Sequence, residues 1–166
     1  MIKFLDDFFS NARGRRIVAE EMLRLGFRVG SKGRIYASGI EISPSKMARA
    51  IDVDRRVVIE TARAISEDEK LFTIFSRLSP RCFLGDAAKE LGFDLIEIRA
   101  EPKMKGIVAA VSSILAGENI VIRQIISDDP DLFPDPVLTI IIDGKLNDRT
   151  IKKLRELEFA RAITIK

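Results

Sequence analysis

The sequence predicts an α+β protein in two parts. Residues 1–93 form a mainly helical, helix-turn-helix-like domain, and residues 94–166 form a βαββαβ domain. Three observations predict this. From Leu95 onward, strand-like and helical stretches follow the order strand, helix, strand, strand, helix, strand. That order builds a four-stranded antiparallel sheet with both helices on one face, the split-βαβ or ferredoxin-like arrangement. Upstream, apolar residues recur at helical spacing in several stretches, two of them joined by a tight turn. Between the halves there is no Gly/Ser-rich tether, so both read as packed.

Arg15–Leu25 sets Ile17, Val18, Met22, Leu23 and Leu25 against Glu20, Glu21 and Arg24, an amphipathic helix that Gly26 ends as a C-cap. From Phe27 to Ile42 apolar residues alternate around Gly30-Ser31-Lys32-Gly33, which predicts a short hairpin or extended arm. Ser43 as N-cap and Pro44 at the first helical position then open a short helix carrying Met47, Ala48 and Ile51. Asp52-Val53 breaks it with an apolar residue inside the turn. Asp54 caps a second helix, in which Val57, Val58, Thr61, Ala62 and Ile65 recur at helical spacing. Leu71–Leu78 predicts a helix stopped by Ser79-Pro80, and Leu84–Leu91 another stopped by Gly92.

In the C-terminal half, Leu95–Ala100 reads as a strand with Ile96 and Ile98 on one face and Glu97 and Arg99 on a wet one. Gly106–Ala116 is helical. Ile120–Ile126 and Val137–Ile142 are β-branched runs, separated by the acidic, proline-rich turn 128–136. Asp148–Leu157 is amphipathic, and Ala162–Ile165 closes the order as a strand.

Composition removes several function classes. At 166 residues, with 46% hydrophobic and 32% charged residues, the chain has the makings of a globular core. With no histidine and one cysteine, it lacks the usual partners for zinc sites, Ser-His-Asp triads and Cys-His nucleophiles. Cys82, beside Phe83 and Leu84, reads as a small buried apolar residue. The expectation is a non-enzyme with no cofactor, metal or catalytic residue. No run of 18 apolar residues predicts a membrane span. The N-terminus, apolar and acidic first and basic later, runs opposite to a signal peptide, so a cytoplasmic protein is expected.

The net charge of +3 falls entirely within residues 1–94. Clusters at Arg13-Gly-Arg15-Arg16, Lys32–Arg34 and Arg55-Arg56 permit nucleic-acid binding. A short helix, a tight turn with an apolar Val, and a second helix that starts with arginines has the shape of a helix-turn-helix. Arg55 and Arg56, with Glu60 and Arg63, are the candidates for base contacts, and Lys46 and Arg49 for phosphate. The same charges also read as a solvated face of a packing or dimerising unit.

The loop Glu101-Pro102-Lys103-Met104-Lys105-Gly106 ends at a helix N-terminus, where bare N–H groups favour a carboxylate and glycine permits close approach. Beyond the next helix comes Gly117-Glu118-Asn119-Ile120. A strand, a loop ending in Gly, an apolar helix and Gly-x-Asn-Ile resemble an ACT domain, the small amino-acid-sensing module. Its usual Asp/Glu-x-Pro-Gly spacing is lengthened here by Lys103, Met104 and Lys105. The resemblance implies an amino acid held by Glu101, Gly106, Ile107, Asn119 and Ile120, with Gln124 added from the second strand. It also implies a homodimer, or a higher oligomer, formed through the sheet. Together the halves resemble an archaeal-type family of regulators of amino-acid metabolism with an N-terminal helix-turn-helix-like region. The expected function is a DNA-binding transcriptional regulator that senses an amino acid at a dimer interface. The alternative is an ACT sensor or oligomerisation module that acts on a metabolic enzyme without DNA.

Overall fold

The structure, a computed structural model, describes residues 3–101 and 104–166. It is α+β with two antiparallel sheets and divides into two units, Met1–Cys82 and Phe83–Lys166.

The first unit opens with α1 (Lys3–Phe8), a helix not expected from the sequence because its single apolar turn is too short to show a period. Leu5 and Phe9 bury completely or nearly so, and Asp6 Oδ1 is held by Arg16 at 2.7 Å. α2 (Arg13–Arg24) buries Val18, Ala19 and Met22 and stops at Gly26, whose φ of +68° is open to glycine without strain. The expected hairpin is instead a three-stranded meander, β1 (Arg28–Val29), β2 (Ile35–Ala37) and β3 (Ile40–Ile42). Runs this short carry almost no alternation, so sequence spacing could not count them.

α3 (Pro44–Ala50) follows, with Pro44 at its start; the Ser43 hydroxyl makes no capping bond, and only its carbonyl serves the first turn. The turn into α4 (Arg55–Glu67) places Asp52 at φ +53° and closes with the Val53 N–H donating to the Ala48 carbonyl at 3.0 Å. Val53 packs against the core, and Asp54 Oδ1 caps α4 by accepting from the Arg56 N–H at 2.7 Å. α4 is the central element of the unit. Val58, Ala62 and Ile65 are fully buried, a burial worth about 1.5–3 kcal/mol for each of Val58 and Ile65. Thr61 is buried as well, with its hydroxyl donating to the Val57 carbonyl at 2.7 Å. α5 (Glu69–Phe75), capped by Asp68, adds Leu71 and Phe75.

The second unit begins at Phe83, upstream of the boundary expected at residues 93–94. Leu84–Leu91 is not the expected helix: a 3-10 turn at Gly85–Ala87 leads into further turns. A short stretch opening with Gly85-Asp86 does not sustain a helix without a buried stripe. Cys82, expected buried, is exposed at the end of the first unit, because that extended stretch gives it no apolar cover.

From here the order is β4 (Phe93–Ala100), α6 (Ile107–Gly117), β5 (Ile122–Ser127), β6 (Leu138–Asp143), α7 (Asp148–Arg155) and β7 (Ala160–Ile165). All pairings are antiparallel, in the order β5-β6-β4-β7. Val111 and Leu115 of α6 and Leu154 of α7 pack against Ile96, Ile98, Ile140 and Ile142, one face of the sheet. On the other face Leu95 and Ile141 are covered by Leu84, Ala88 and Phe93. The face expected to be wet is therefore dry at its start, which is why Ile140–Ile142 is apolar on both faces. Among the described residues no helix is long and apolar enough to cross a membrane.

Candidate ligand and nucleic-acid sites

Antiparallel pairing of β4 with β6 brings the end of β4 to the start of β6, with Ile98 opposite Leu138. The β5–β6 connection thus lands beside the loop that leads into α6. Between them lies a cleft of about 220 Å³, lined by Ile98, Ala100, Glu101, Met104, Ile107, Ser127, Asp128, Val137 and Leu138 among others. This is smaller than the roughly 300–1,000 Å³ of ordinary ligand pockets. Ser127, Asp128, Val137 and Leu138 were not anticipated; only the strand register could have placed them here.

Gly106 stands at the N-cap of α6 with φ +87°, and among the described residues no side chain caps the first N–H groups of the helix. Nothing lies within 4 Å of the position a Cβ would take. Met104 and Lys105 are exposed, and Ile107 turns inward onto the core. Lys103 lies outside the described residues. The Glu101 carboxylate forms an ion pair with Arg161 on β7 rather than standing open. The acidic turn uses its carboxylates internally: Asp128 Oδ2 accepts from the Val137 N–H at 3.1 Å and Asp129 Oδ1 from the Asp131 N–H at 2.7 Å. Asp135 pairs with Arg99 at 2.9 Å.

The structure thus gathers Glu101, Met104, Gly106 and Ile107, but not the remaining candidates. Asn119 and Ile120 follow the far end of α6, about 16 Å along the helix axis from Gly106. There they form its stop. Asn119 is left-handed at φ +57°, its N–H donates to the Ala116 carbonyl at 3.0 Å, and the Ile120 N–H reaches the Leu115 carbonyl at 2.9 Å. The Gly-x-Asn-Ile pattern therefore has a local structural cause. Glu118, just before them, is nearly buried and receives Lys153 Nζ from α7 at 2.6 Å, with Arg149 at 3.5 Å. The Lys153 hydrogen bond, aided by both positive charges against some desolvation, holds its carboxyl below the ordinary range. Gln124 Oε1 accepts from the Leu84 N–H at 3.0 Å, on the sheet face away from the helices.

In the first unit Lys46, Arg49, Arg55, Arg56, Glu60 and Arg63 are all exposed on α3 and α4. They fall into two sets. Glu60 is held by Arg15 of α2 at 2.6 Å, and Arg63 by Glu67 at 2.7 Å. The Glu67 hydrogen bond raises the Arg63 pKa further. Lys46, Arg49, Arg55 and Arg56 form no side-chain ion pair among the described residues and remain available to an external anion.

No family model matches the chain, and no curated protein matches it. Among solved structures, the crystal structure of PH0061 is similar at 9% identity over 89% of this chain and 88% of that one. Its TM-score of 0.27 carries no argument about fold or function.

Proposed function

We propose that the chain is a ligand-responsive regulator whose C-terminal unit is an ACT-like, ferredoxin-like sensor of an amino acid. The observation that carries this reading is the start of α6, where left-handed Gly106 leaves N–H groups uncapped by any described side chain, beside a cleft whose walls combine Ile98, Met104, Ile107 and Leu138 with Glu101, Ser127 and Asp128. Uncapped N–H groups suit a carboxylate, and the apolar part of the walls suits an apolar side chain. The cleft is small and its mouth open, which favours completion by a second copy. β5 is an edge strand with Ile125 40% exposed and Val121, just before it, 58% exposed, and such an edge invites pairing with another chain. In that arrangement Asn119 and Ile120 of one copy would approach the cleft of the other.

The first unit is the DNA-binding part of the proposal, with α4 as the helix that meets base edges. Val53 packed inside the α3–α4 turn and the unpaired Arg55 and Arg56 at the start of α4 support it. The amino acid changes DNA affinity only to the extent that it prefers one dimer geometry. A second reading, an oligomerising sensor that acts on an enzyme without DNA, is favoured by the ion pairs that occupy Glu60 and Arg63. A salt-dependent mobility shift separates the two. Arg55→Ala with Arg56→Ala should keep the melting temperature and weaken binding by about 1–3 kcal/mol per lost base contact. Unchanged affinity would favour the second reading.

A further inference from the structure

The run Arg13-Gly14-Arg15-Arg16 is a basic cluster that neither candidate site uses. In the fold its cations separate. Arg16 is held by Asp6 at 2.7 Å and Glu20 at 2.9 Å, and Arg15 by Glu60. Arg13 is exposed at the first residue of α2 and forms no side-chain ion pair among the described residues. Its neighbour Gly14 lies against α4, since a Cβ there would sit 3.4 Å from Val57 Cγ1. That contact and the Arg15–Glu60 pair set the first turns of α2 and α4 side by side. Arg13 is next in the chain to Gly14, and Arg56 is next to Val57, so the backbone brings Arg13 to the same corner as Arg55 and Arg56, and all three are exposed. Of the carboxylates at this corner, Asp54 caps the Arg56 N–H, Glu60 pairs with Arg15, and Asp52 is exposed in the turn before α4. Four arginines (Arg13, Arg15, Arg55 and Arg56) thus meet three acids (Asp52, Asp54 and Glu60), which leaves the corner positive.

We propose that Arg13 extends the surface of Arg55 and Arg56 onto the sugar-phosphate backbone of duplex DNA, where α2 and α4 begin. The proposal rests on the DNA-binding reading above and extends it to a helix outside the α3–turn–α4 motif. An exposed guanidinium at a helix start fits phosphate oxygens in a planar fork and carries no base information. Arg13 therefore positions the protein on the duplex, whatever bases α4 meets.

The test is the salt dependence of full-length protein binding to a mixed-sequence DNA duplex, measured from about 50 to 200 mM salt. Arg13→Ala should reduce the magnitude of the slope of log K against log salt by about 0.9, as one lost phosphate contact does. Arg77→Ala removes the same charge from an exposed position in the turn after α5 and should leave the slope unchanged. An Arg13→Ala slope equal to wild type, with Arg55→Ala and Arg56→Ala reduced, overturns this surface and leaves the DNA-binding reading standing. Equal reductions from Arg13→Ala and Arg77→Ala overturn it in favour of diffuse charge. No duplex binding by wild type at the lowest salt overturns both.

Discussion

Two residues of the C-terminal unit carry consequences that single substitutions can read. At Gly106 no described residue lies within 4 Å of where a Cβ would stand, which leaves that space to an approaching carboxylate. What singles Gly106 out is its backbone, since φ +87° is costly for any residue with a Cβ, by roughly 1–2 kcal/mol. Gly106→Val should lower stability in urea by about that amount, and Gly106→Asn by less, because Asn tolerates the left-handed region. Equal stability for Val and glycine would contradict a left-handed start to α6. Glu118 tests an electrostatic clamp. Its folded pKa is depressed, so its contribution is present above the unfolded value of about 4.3 and is lost as pH falls through the depressed one. Glu118→Gln should be less stable than wild type at neutral pH, and the gap in urea midpoint should close as the solution is acidified below pH about 4. A gap that persists in acid would mean that packing, not charge, holds α6 to α7.

At the scale of elements, the segment from Phe83 to Gly92 decides where the second unit starts. Leu84 and Ala88 cover Leu95 and Ile141, and the Leu84 N–H is fixed by Gln124. A fragment of residues 83–166 should therefore unfold cooperatively, whereas residues 94–166 should be less stable and bind a hydrophobic dye. Equal stability of the two would place the boundary back at 93–94. The long amphipathic helices α2 and α4 and the apolar strands β4 and β6 were legible within a few residues, because each carries a full period of its pattern. α1, the β1–β3 meander and the 3-10 turn were not, since each is shorter than the repeat that would reveal it. The candidate cleft was half legible. Gly106 and its loop are contiguous in sequence, whereas Ser127, Asp128 and Leu138 arrive by strand register. Gly-Glu-Asn-Ile was legible as a motif but not as a helix stop, because left-handed asparagine has no periodic signature.

For the whole molecule, the proposed function divides between the units, one a sensor and the other a DNA-binding body, and sensing comes first. A ligand that binds only the folded chain raises its stability by RT ln(1 + [L]/Kd), about 2.7 kcal/mol when the ligand is at 100 times Kd. The most direct measurement is the melting temperature of the full chain against each of the twenty amino acids at millimolar concentration. One amino acid, or a small apolar group of them, should raise it in a saturable manner, and Gly106→Val should blunt the rise beyond its own loss of stability. A melting temperature unmoved by every amino acid would contradict the sensor and leave the C-terminal unit an assembly module.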